Sequence, residues 1–362
     1  MGVMSSFVEE KVAVKNIEYC RVKEGVRVIC NNAFSECKKL RHIGLPSSLN
    51  FIGKYAFKGC KSLDKIELPE SLVYIGDGAF CCEDHFRKRS IPFRVTIPPS
   101  VETIEGNPFC NNTIIFSHNE RFKVVDKVLY SSDGKVLISY CSAKEVFEVP
   151  DGVERIGVGA FRNTPIKKIT FPKSLRIIDK DAFKKASGLE NVVFPNSLKE
   201  IRENAFQWCD FKTGSVTFPS NIEKVSPKAF DFGWDIKMIR VPKGRLNHFK
   251  SILPEEISNQ IYDEEFVFEN NMYFSSDKTE LLAAISGIKH YDIPEGVVKV
   301  RDGAFCGCCN IDSIKFPSTL KVITTDAFDY EMPEFKSIFV PKGSRQFYEE
   351  IFEDFKEEIK EY

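Results

Sequence analysis

The chain has 362 residues, of which 43% are hydrophobic and 28% are charged, and its formal net charge is -1. This near balance of basic and acidic side chains excludes the electrostatic footprint of a nucleic-acid-binding domain. No apolar run reaches the ~18 residues that a membrane-spanning helix needs, so the sequence predicts no membrane span.

An apolar residue followed by proline returns about every 23 residues. These pairs are Leu45-Pro46, Leu68-Pro69, Ile97-Pro98, Val149-Pro150, Phe171-Pro172, Phe194-Pro195, Phe218-Pro219, Val241-Pro242, Ile293-Pro294, Phe316-Pro317 and Val340-Pro341. A period of about 20 to 29 residues is typical of a leucine-rich-repeat solenoid, in which no unit buries its apolar face without a neighbour. The fold class that we predict is therefore an α/β, β-rich leucine-rich-repeat solenoid.

One phenylalanine recurs at the same place in each unit. These residues are Phe34, Phe57, Phe80, Phe109, Phe161, Phe183, Phe206, Phe230, Phe305 and Phe328. We predict that their rings stack into one buried spine, because stacked aromatic pairs add about 0.5 to 1.5 kcal/mol to their burial.

A typical unit predicts one strand and one short helical turn. Leu63, Ile66 and Leu68 point inward, whereas Lys65 and Glu67 alternate with them and point outward. Proline ends the strand because it has no N–H for the ladder. One such strand is expected in each repeat of about 23 residues, and together these strands form a parallel sheet. The Ala-Phe segment of the repeat supplies the short helical turn.

Two gaps of 52 residues interrupt the period, between Pro98 and Pro150 and between Pro242 and Pro294. Residues 122–138 and 266–282 match each other and predict a strand, a tight turn at Ser-Ser-Asp and a second strand. We interpret both as β-hairpin inserts between blocks of repeats.

This pattern divides the chain into five segments. They are a first repeat block (1–116), a first hairpin insert (117–145), a second repeat block that ends in a cap-like helix (146–262), a second hairpin insert (263–289), and a third repeat block with a C-terminal cap helix (290–362). In the last segment Phe347, Ile351, Phe355 and Ile359 recur every four residues, which predicts an amphipathic capping helix.

The unit Ser-Leu-x-x-Ile-Gly-x-x-Ala-Phe-x-x-Cys-x-x-Leu-x-x-Ile-x-Leu-Pro, nearly complete at 48–69 and again at 297–317, resembles the BspA-like (Treponema-type) leucine-rich repeats. The Leu-Tyr-Ser-x-Asp hairpin and the Val-Pro-Lys-Gly-Ser ending are also similar to that family. The resemblance implies a bacterial surface or secreted protein with a role in adhesion. Residues 1–10 lack the basic and apolar parts of a signal peptide, which would leave a complete chain in the cytoplasm.

The cysteines follow the repeat before they suggest chemistry. Cys37, Cys60, Cys209 and Cys308 each lie three residues after the recurring phenylalanine, and we predict buried, reduced thiols. A disulfide between Cys37 and Cys60 stays open, since adjacent strands lie ~4.8 Å apart. The cysteines of 306–309 lack a second ligand pair for zinc.

No catalytic motif is present in the sequence. The five histidines have no metal-ligand spacing, and there is no nucleophile elbow or phosphate-binding glycine loop. We therefore predict no enzyme, no catalytic residues, no cofactor and no metal site.

The best binding candidates are outward strand positions before the repeat prolines. They are His42, Lys65, Glu67, Arg94, Val146, Glu148, Lys168, Asn191, Met238, Arg240, His290, Asp292 and Phe339. Polar residues at such positions also suit a merely solvated strand. Val146, Met238 and Phe339 are apolar and fit that interpretation least, if they are exposed.

We predict a monomeric, non-catalytic interaction or adhesion scaffold that binds a protein partner through these positions or through the hairpin inserts. A carbohydrate- or cell-wall-binding module is the alternative, and it predicts aromatic platforms on the outward ladder, where sequence places only Phe339. A hydrolase would need a catalytic triad of polar side chains in one groove, and the sequence indicates none.

Overall fold

Short β-strands, most of them paired in parallel, are the main regular elements of the described structure. The computed structural model describes residues 16–81, 92–109, 113–186, 188–190, 192–209, 211, 215–230, 236–253, 260–263, 265–328 and 332–362. Up to residue 117 the strands are β1 (Tyr19–Arg21), β2 (Val28–Ile29), β3 (His42–Gly44), β4 (Phe51–Ile52), β5 (Lys65–Ile66), β6 (Tyr74–Ile75), β7 (Phe93–Ile97), β8 (Thr103–Ile104) and β9 (Thr113–Ser117).

The middle of the chain continues this pattern. Its elements are β10 (Phe122–Val125), β11 (Val128–Ser131), β12 (Val136–Tyr140), β13 (Val146–Glu148), β14 (Arg155–Ile156), β15 (Lys168–Thr170), β16 (Ile177–Ile178), β17 (Val192–Val193), β18 (Glu200–Ile201), β19 (Ser215–Thr217), β20 (Lys224–Val225), β21 (Met238–Arg240), α1 (Leu246–Ile252) and β22 (Ile261–Tyr262).

The last hundred residues repeat the arrangement once more. Their elements are β23 (Phe266–Glu269), β24 (Met272–Ser275), β25 (Glu280–Ala284), β26 (His290–Asp292), β27 (Lys299–Val300), β28 (Ser313–Lys315), a 3-10 helix (Thr325–Ala327), β29 (Ser337–Val340), α2 (Arg345–Ile351), a 3-10 helix (Glu353–Phe355) and β30 (Ile359–Glu361).

A typical repeat contributes two short strands, and we name the two sets of equivalent strands the first and the second ladder, although each set consists of several separate sheets. The first ladder contains the strands that precede the repeat prolines and their direct neighbours: β1, β3, β5, β7, β9, β13, β15, β17, β19, β21, β22, β26, β28, β29 and β30. The second ladder contains the strands that follow the prolines: β2, β4, β6, β8, β14, β16, β18, β20 and β27. The predicted repeat solenoid is confirmed, and the structure adds to it the second short strand of each repeat.

The chain divides into two compact units. The first contains the described residues of 1–188, 194–210 and 221–233, and the second contains those of 189–193, 211–220 and 234–362. Sheets β1-β3, β5-β7-β9, β2-β4-β6-β8, β13-β15 and β10-β11-β12-β14-β16-β18-β20 belong to the first unit. Sheets β17-β19-β21-β22, β23-β24-β25-β27 and β26-β28-β29-β30 belong to the second.

Successive Ala-Phe turns are joined by short hydrogen bonds. The N–H of Phe57 donates to the carbonyl of Ala79 at 2.7 Å, and the N–H of Phe183 donates to Ala205 at 2.7 Å. The small alanine lets the backbones approach this closely, and the phenylalanine rings follow in register. Each turn thereby satisfies the buried polar groups of its neighbour.

The recurring phenylalanines stack in the interior as predicted. Runs of parallel rings join Phe34, Phe57, Phe80 and Phe109, then Phe161, Phe183, Phe206 and Phe230, and then Phe305 and Phe328, with ring centroids 4.8 to 5.9 Å apart. Tyr140 extends the middle run, at 4.9 Å from Phe161. Five of these rings have no exposed surface, namely Phe57, Phe80, Phe161, Phe183 and Phe206.

A glycine in the left-handed conformation marks three similar starts of repeats. Gly25, Gly152 and Gly296 have φ of 88°, 90° and 97°, which glycine adopts without a steric penalty. In each case a hydroxyl from the following repeat accepts the glycine N–H; for Gly152 this is Ser174 Oγ at 3.1 Å, and Ser174 also donates to Val153 at 2.8 Å. The start at Gly25 keeps this geometry without the proline.

Asn107 joins the first repeats to those that follow the first insert. Its amide nitrogen donates to the carbonyl of Gly159 at 2.8 Å, and its oxygen accepts from Ser139 Oγ at 2.5 Å. The residue is 4% exposed. Nearby, Arg162 pairs with Asp77 at 3.2 Å. Polar side chains therefore continue the turn-to-turn bonding across the insert.

The two inserts have three strands each, where the sequence predicted two. In the first, β10, β11 and β12 are antiparallel, and β12 pairs in parallel with β14. In the second, β25 joins β27 in the same way. The tight turn at Ser-Ser-Asp is confirmed, with Ser131 Oγ 2.6 Å from Asp133 Oδ1. The inserts are thus continuous with the second ladder.

The predicted C-terminal helix is shorter than the apolar stripe indicated. Helix α2 ends at Ile351, and Ile359 lies in β30, which pairs in parallel with β29. The buried rings are those of Tyr348 and Phe352, whereas Phe347 is 38% exposed. The strand forms because β29 would otherwise end the sheet with unpaired backbone groups. Helix α1 is followed by β22 on β21 in the same manner.

Phe183→Ala is expected to lower the free energy of unfolding by about 3 to 5 kcal/mol, because it removes a fully buried ring that contacts the spine on both sides. Phe347→Ala, at an exposed ring, serves as the control and is expected to cost less than about 1 kcal/mol. Urea unfolding followed by circular dichroism measures both. Equal midpoints for the two variants would contradict the stacked spine.

Candidate interaction surface

The outward side of the first ladder before the first insert carries aromatic and charged side chains together. We call this surface the block-one face; its residues are Tyr19, Arg21, His42, Lys65, Glu67, Arg94, Thr96 and Phe116. Strand alternation places them there, since Ile43, Ile66 and Val95 between them are buried.

Aromatic groups occupy both ends of the block-one face. The rings of Tyr19 and His42 stack with centroids 5.3 Å apart, because β1 and β3 pair in register. Tyr19 is 67% exposed, and Phe116 on β9 is 52% exposed. Such half-exposed rings are the side chains that most often anchor a protein interface.

Positive charge occupies the middle of the block-one face. Lys65 lies opposite Arg94 on the neighbouring strand. Lys65 Nζ pairs with Glu67 Oε1 at 2.7 Å, and this hydrogen bond and charge lower the pKa of Glu67. Within the described part of the chain no carboxylate lies in salt-bridge distance of Arg94. Like charges on opposite strand positions are unfavourable, so an acidic group would relieve them.

The sequence interpretation missed Tyr19 and Phe116. Neither residue precedes a repeat proline, the landmark that identifies the outward strand positions in the sequence. Counting one repeat length back from His42 reaches Tyr19, and the strand-like run Thr113-Ile114-Ile115-Phe116 also alternates. The repeat length and the strand alternation are therefore the sequence signals that place Tyr19 and Phe116 on this surface.

The candidates of the second block differ in exposure. Val146 is 59% exposed, and Glu148 and Lys168 are exposed as well. Asn191 lies outside the described residues. Arg240 is half-buried and pairs with Glu265 at 2.5 Å.

The predicted exposure of Met238 is wrong. Its side chain is fully buried in a cluster with Tyr273, Leu282 and Ala283, all from the second insert. The insert covers the outward side of β21 and uses Met238 as an internal contact. Repeat spacing predicts that Met238 faces outward from β21, but it does not predict that the second insert packs against that side.

The candidates of the third block each contact a neighbouring side chain of the same block. His290 Nδ1 is 2.9 Å from Ser313 Oγ, and Asp292 lies 3.8 Å from Lys315. Phe339 is half-buried rather than exposed, because Lys360 Nζ lies 5.8 Å from its ring centroid. The polar and charged groups of these candidates therefore already have partners within the third block.

No cluster of three or more His, Cys, Asp or Glu side chains among the described residues is arranged to hold a metal ion. Cys60 Sγ donates to the carbonyl of Phe34 at 3.1 Å, which is the behaviour of a buried thiol. Burial raises the pKa of Cys141 to about 12, which keeps its thiol protonated. Among the described helices, none has the length and apolarity to cross a bilayer.

The chain belongs to the family of BspA-type leucine-rich repeat proteins. The model of the BspA type leucine rich repeat region matches residues 11–118, 134–260 and 264–360, in six copies. A comparison with curated proteins finds no match.

Several solved structures are similar to the chain. A leucine-rich repeat protein from Bacteroides ovatus has 22% identity over 96% of this chain and 84% of its own, with a TM-score of 0.41. The pneumococcal vaccine antigen PcpA has 19% identity over 96% and 78%, with a TM-score of 0.47. A leucine rich cell surface protein from Faecalibacterium prausnitzii has 18% identity over 93% and 90%, with a TM-score of 0.27.

Met238→Ala and Val146→Ala test which outward positions are covered. Met238→Ala is expected to cost about 2 to 5 kcal/mol because it opens a cavity under the second insert, whereas Val146→Ala is expected to stay within about 0.5 kcal/mol. Urea unfolding of the full chain measures both free energies. If the two variants lose the same stability, the insert does not pack on β21.

The buried phenol of Tyr130 in the first insert is expected to make the folded chain less stable at alkaline pH. Burial, and then the charge of Asp126, raise the pKa of Tyr130 to about 12 from an ordinary value of 10.0. The neutral phenol is favoured in the folded state, so its contribution is complete below pH 10.0 and is lost as the pH rises towards 12.

Tyr130→Phe is therefore expected to make the stability of the chain fall less steeply than in the wild type over that pH range. Urea midpoints measured at several pH values follow the difference. Parallel pH profiles for the two proteins would show that the Tyr130 phenol is not held neutral by the fold.

Proposed function

We propose that the protein is a non-catalytic interaction scaffold that binds a protein partner across the block-one face. The observation that carries the proposal is the exposed outward side of the neighbouring sheets β1-β3 and β5-β7-β9, with exposed rings at both ends and, between them, Arg94, which forms no ion pair with a described residue. Membership of a repeat family whose resemblance implies adhesion supports the same class of function.

The other parts of the first ladder fit a partner less well. The second insert covers Met238. In the third block, His290 and Asp292 are already engaged by Ser313 and Lys315 of the same block. The block-one face differs from both because its rings and Arg94 point to solvent. A partner that covers Tyr19 and Phe116 removes apolar surface from water at about 25 cal/mol per Å².

A carbohydrate- or cell-wall-binding module is the second candidate. The exposed rings of Tyr19 and Phe116, which sequence did not place on this ladder, favour it, since sugars bind against aromatic rings. The central charges favour protein instead, because Lys65 and Arg94 match acidic side chains better than neutral sugars. Protein partners remain our proposal.

Affinity capture with single variants of the full chain tests the proposal. Tyr19→Ala and Arg94→Glu are each expected to weaken capture of the partner at least tenfold, as loss of an interface anchor of about 2 kcal/mol would. Lys224→Glu replaces an exposed cation on the second ladder and serves as the control, which is expected to retain capture.

The capture uses lysate, cell-surface fraction and culture medium of the native organism, so that the compartment is reported with the partner. A glycan array is run with the same variants. Protein capture that is equal for wild type, Arg94→Glu and Lys224→Glu would overturn the block-one face as the site. Glycan binding that is lost in Tyr19→Ala, without any protein capture, would establish the second candidate.

A further inference from the structure

The outer strand of the second insert, β23, has a neighbour on one side. The sheet order is β23-β24-β25-β27, so β24 alone pairs with β23 in the described part of the chain. A strand in this position presents a row of backbone donors and acceptors along its other edge. This surface is separate from the block-one face.

The register shows which residues of β23 face that edge. β23 and β24 are joined by a two-residue turn, Asn270 and Asn271, with φ of 50° and 62°. The residues that flank such a turn form a hydrogen-bonded pair, and bonded and non-bonded pairs then alternate along the hairpin. Glu269 and Val267 therefore bond to β24, whereas Phe266 and Phe268 direct N–H and C=O outward.

The edge is also apolar. Phe268 is 44% exposed, and its ring packs against Tyr273 with centroids 4.6 Å apart. Proteins usually protect an edge strand with lysine, proline or a covering segment. The strand Phe-Val-Phe-Glu contains neither lysine nor proline.

The first insert provides an internal comparison. Its outer strand β10 has Lys123 where β23 has Val267. In addition, Ser117 Oγ donates to the carbonyl of Phe122 at 3.1 Å, so a segment of the same chain already occupies part of that edge. The same strand edge is thus partly occupied in the first insert, whereas in the second insert no described residue pairs with it.

The charges at the ends of β23 indicate the chemistry of the occupant. Glu265 and Glu269 flank the apolar residues and have side chains 77% and 47% exposed. Their ion pairs with Arg240 and Lys278 lie at the surface, where such pairs contribute about 0 to 1 kcal/mol, so they exchange readily for basic groups of a partner.

A second copy of this chain fits the edge less well. Antiparallel pairing centred on Val267 would place Glu265 opposite Glu269 of the copy, twice in each dimer. Like charges on opposite strand positions are destabilising.

We propose that β23 binds an extended strand of a partner protein, by main-chain hydrogen bonds to Phe266 and Phe268, with apolar side chains against Phe268 and basic residues opposite Glu265 and Glu269. The partner then becomes the outermost strand of the β23-β24-β25-β27 sheet. This mode of recognition takes its affinity from the backbone and its specificity from alternate side chains.

Selection of a phage-displayed random peptide library against the immobilised full chain tests this assignment. We expect enrichment of peptides with alternating apolar residues flanked by lysine or arginine. Hydrogen exchange with a synthetic copy of the enriched peptide is expected to protect the amides of Phe266 and Phe268. The amide of Val267, already bonded to β24, is expected to change little.

Two variants remove the edge in different ways. Phe268→Pro deletes an outward N–H without breaking a bond to β24, and Val267→Lys copies the residue of the first insert. Each is expected to weaken peptide binding at least about tenfold, the equivalent of about 1.4 kcal/mol. Val125→Lys, at a 51% exposed position of the first insert, is the matched control and is expected to bind normally.

Peptides that bind wild type, Phe268→Pro and Val267→Lys equally would overturn the proposal, as would a selection that enriches no alternating sequence. Wild-type dimers in sedimentation velocity that Val267→Lys abolishes would assign the edge to a second copy instead. Tyr19→Ala is expected to leave peptide binding unchanged, so this result is independent of the block-one face.

Discussion

The structure depends on contact between successive Ala-Phe turns. In most of these turns the phenylalanine N–H donates to the alanine carbonyl of the next turn, whereas that of Phe80 donates to the carbonyl of Pro108. Within each run the phenylalanine rings lie on one another, as Phe183 does on Phe206. A single repeat has no interior of its own, because its apolar residues and its turn carbonyls are covered by neighbouring repeats. A repeat length of about 23 residues suits this stacking, and the 29 residues from Pro69 to Pro98 preserve it, since Phe80 still stacks on Phe109.

This constraint also determines where the chain can vary. Residues that point outward from the two ladders take no part in the spine, and they differ from one repeat to the next. Some outward positions bind other parts of the same chain, as Met238 does under the second insert. Others remain open, as at Tyr19, Arg94 and Phe116. The repeat pattern does not distinguish outward positions that another segment covers from those that remain exposed.

The ends of sheets show a second physical requirement. A parallel ladder that stops leaves backbone groups unpaired, and this chain covers them with short strands such as β22 and β30 or with an insert. Ile359 therefore enters a strand although its spacing from Phe355 suits a helix. The outer edge of β23 has no pairing strand among the described residues, and the partner strand that we propose would complete it.

Sequence by itself determined the repeat fold, the inward residues, the stacked phenylalanines and the turns of the inserts, because each depends on a pattern within one unit or on its direct recurrence. It also indicated the outward side of Val146 and Arg94. Only the tertiary structure decided that Met238 is buried, that the last helix gives way to a strand and that β23 has an open edge. Those outcomes depend on segments that are far apart in the chain, and their contacts leave no period in the sequence.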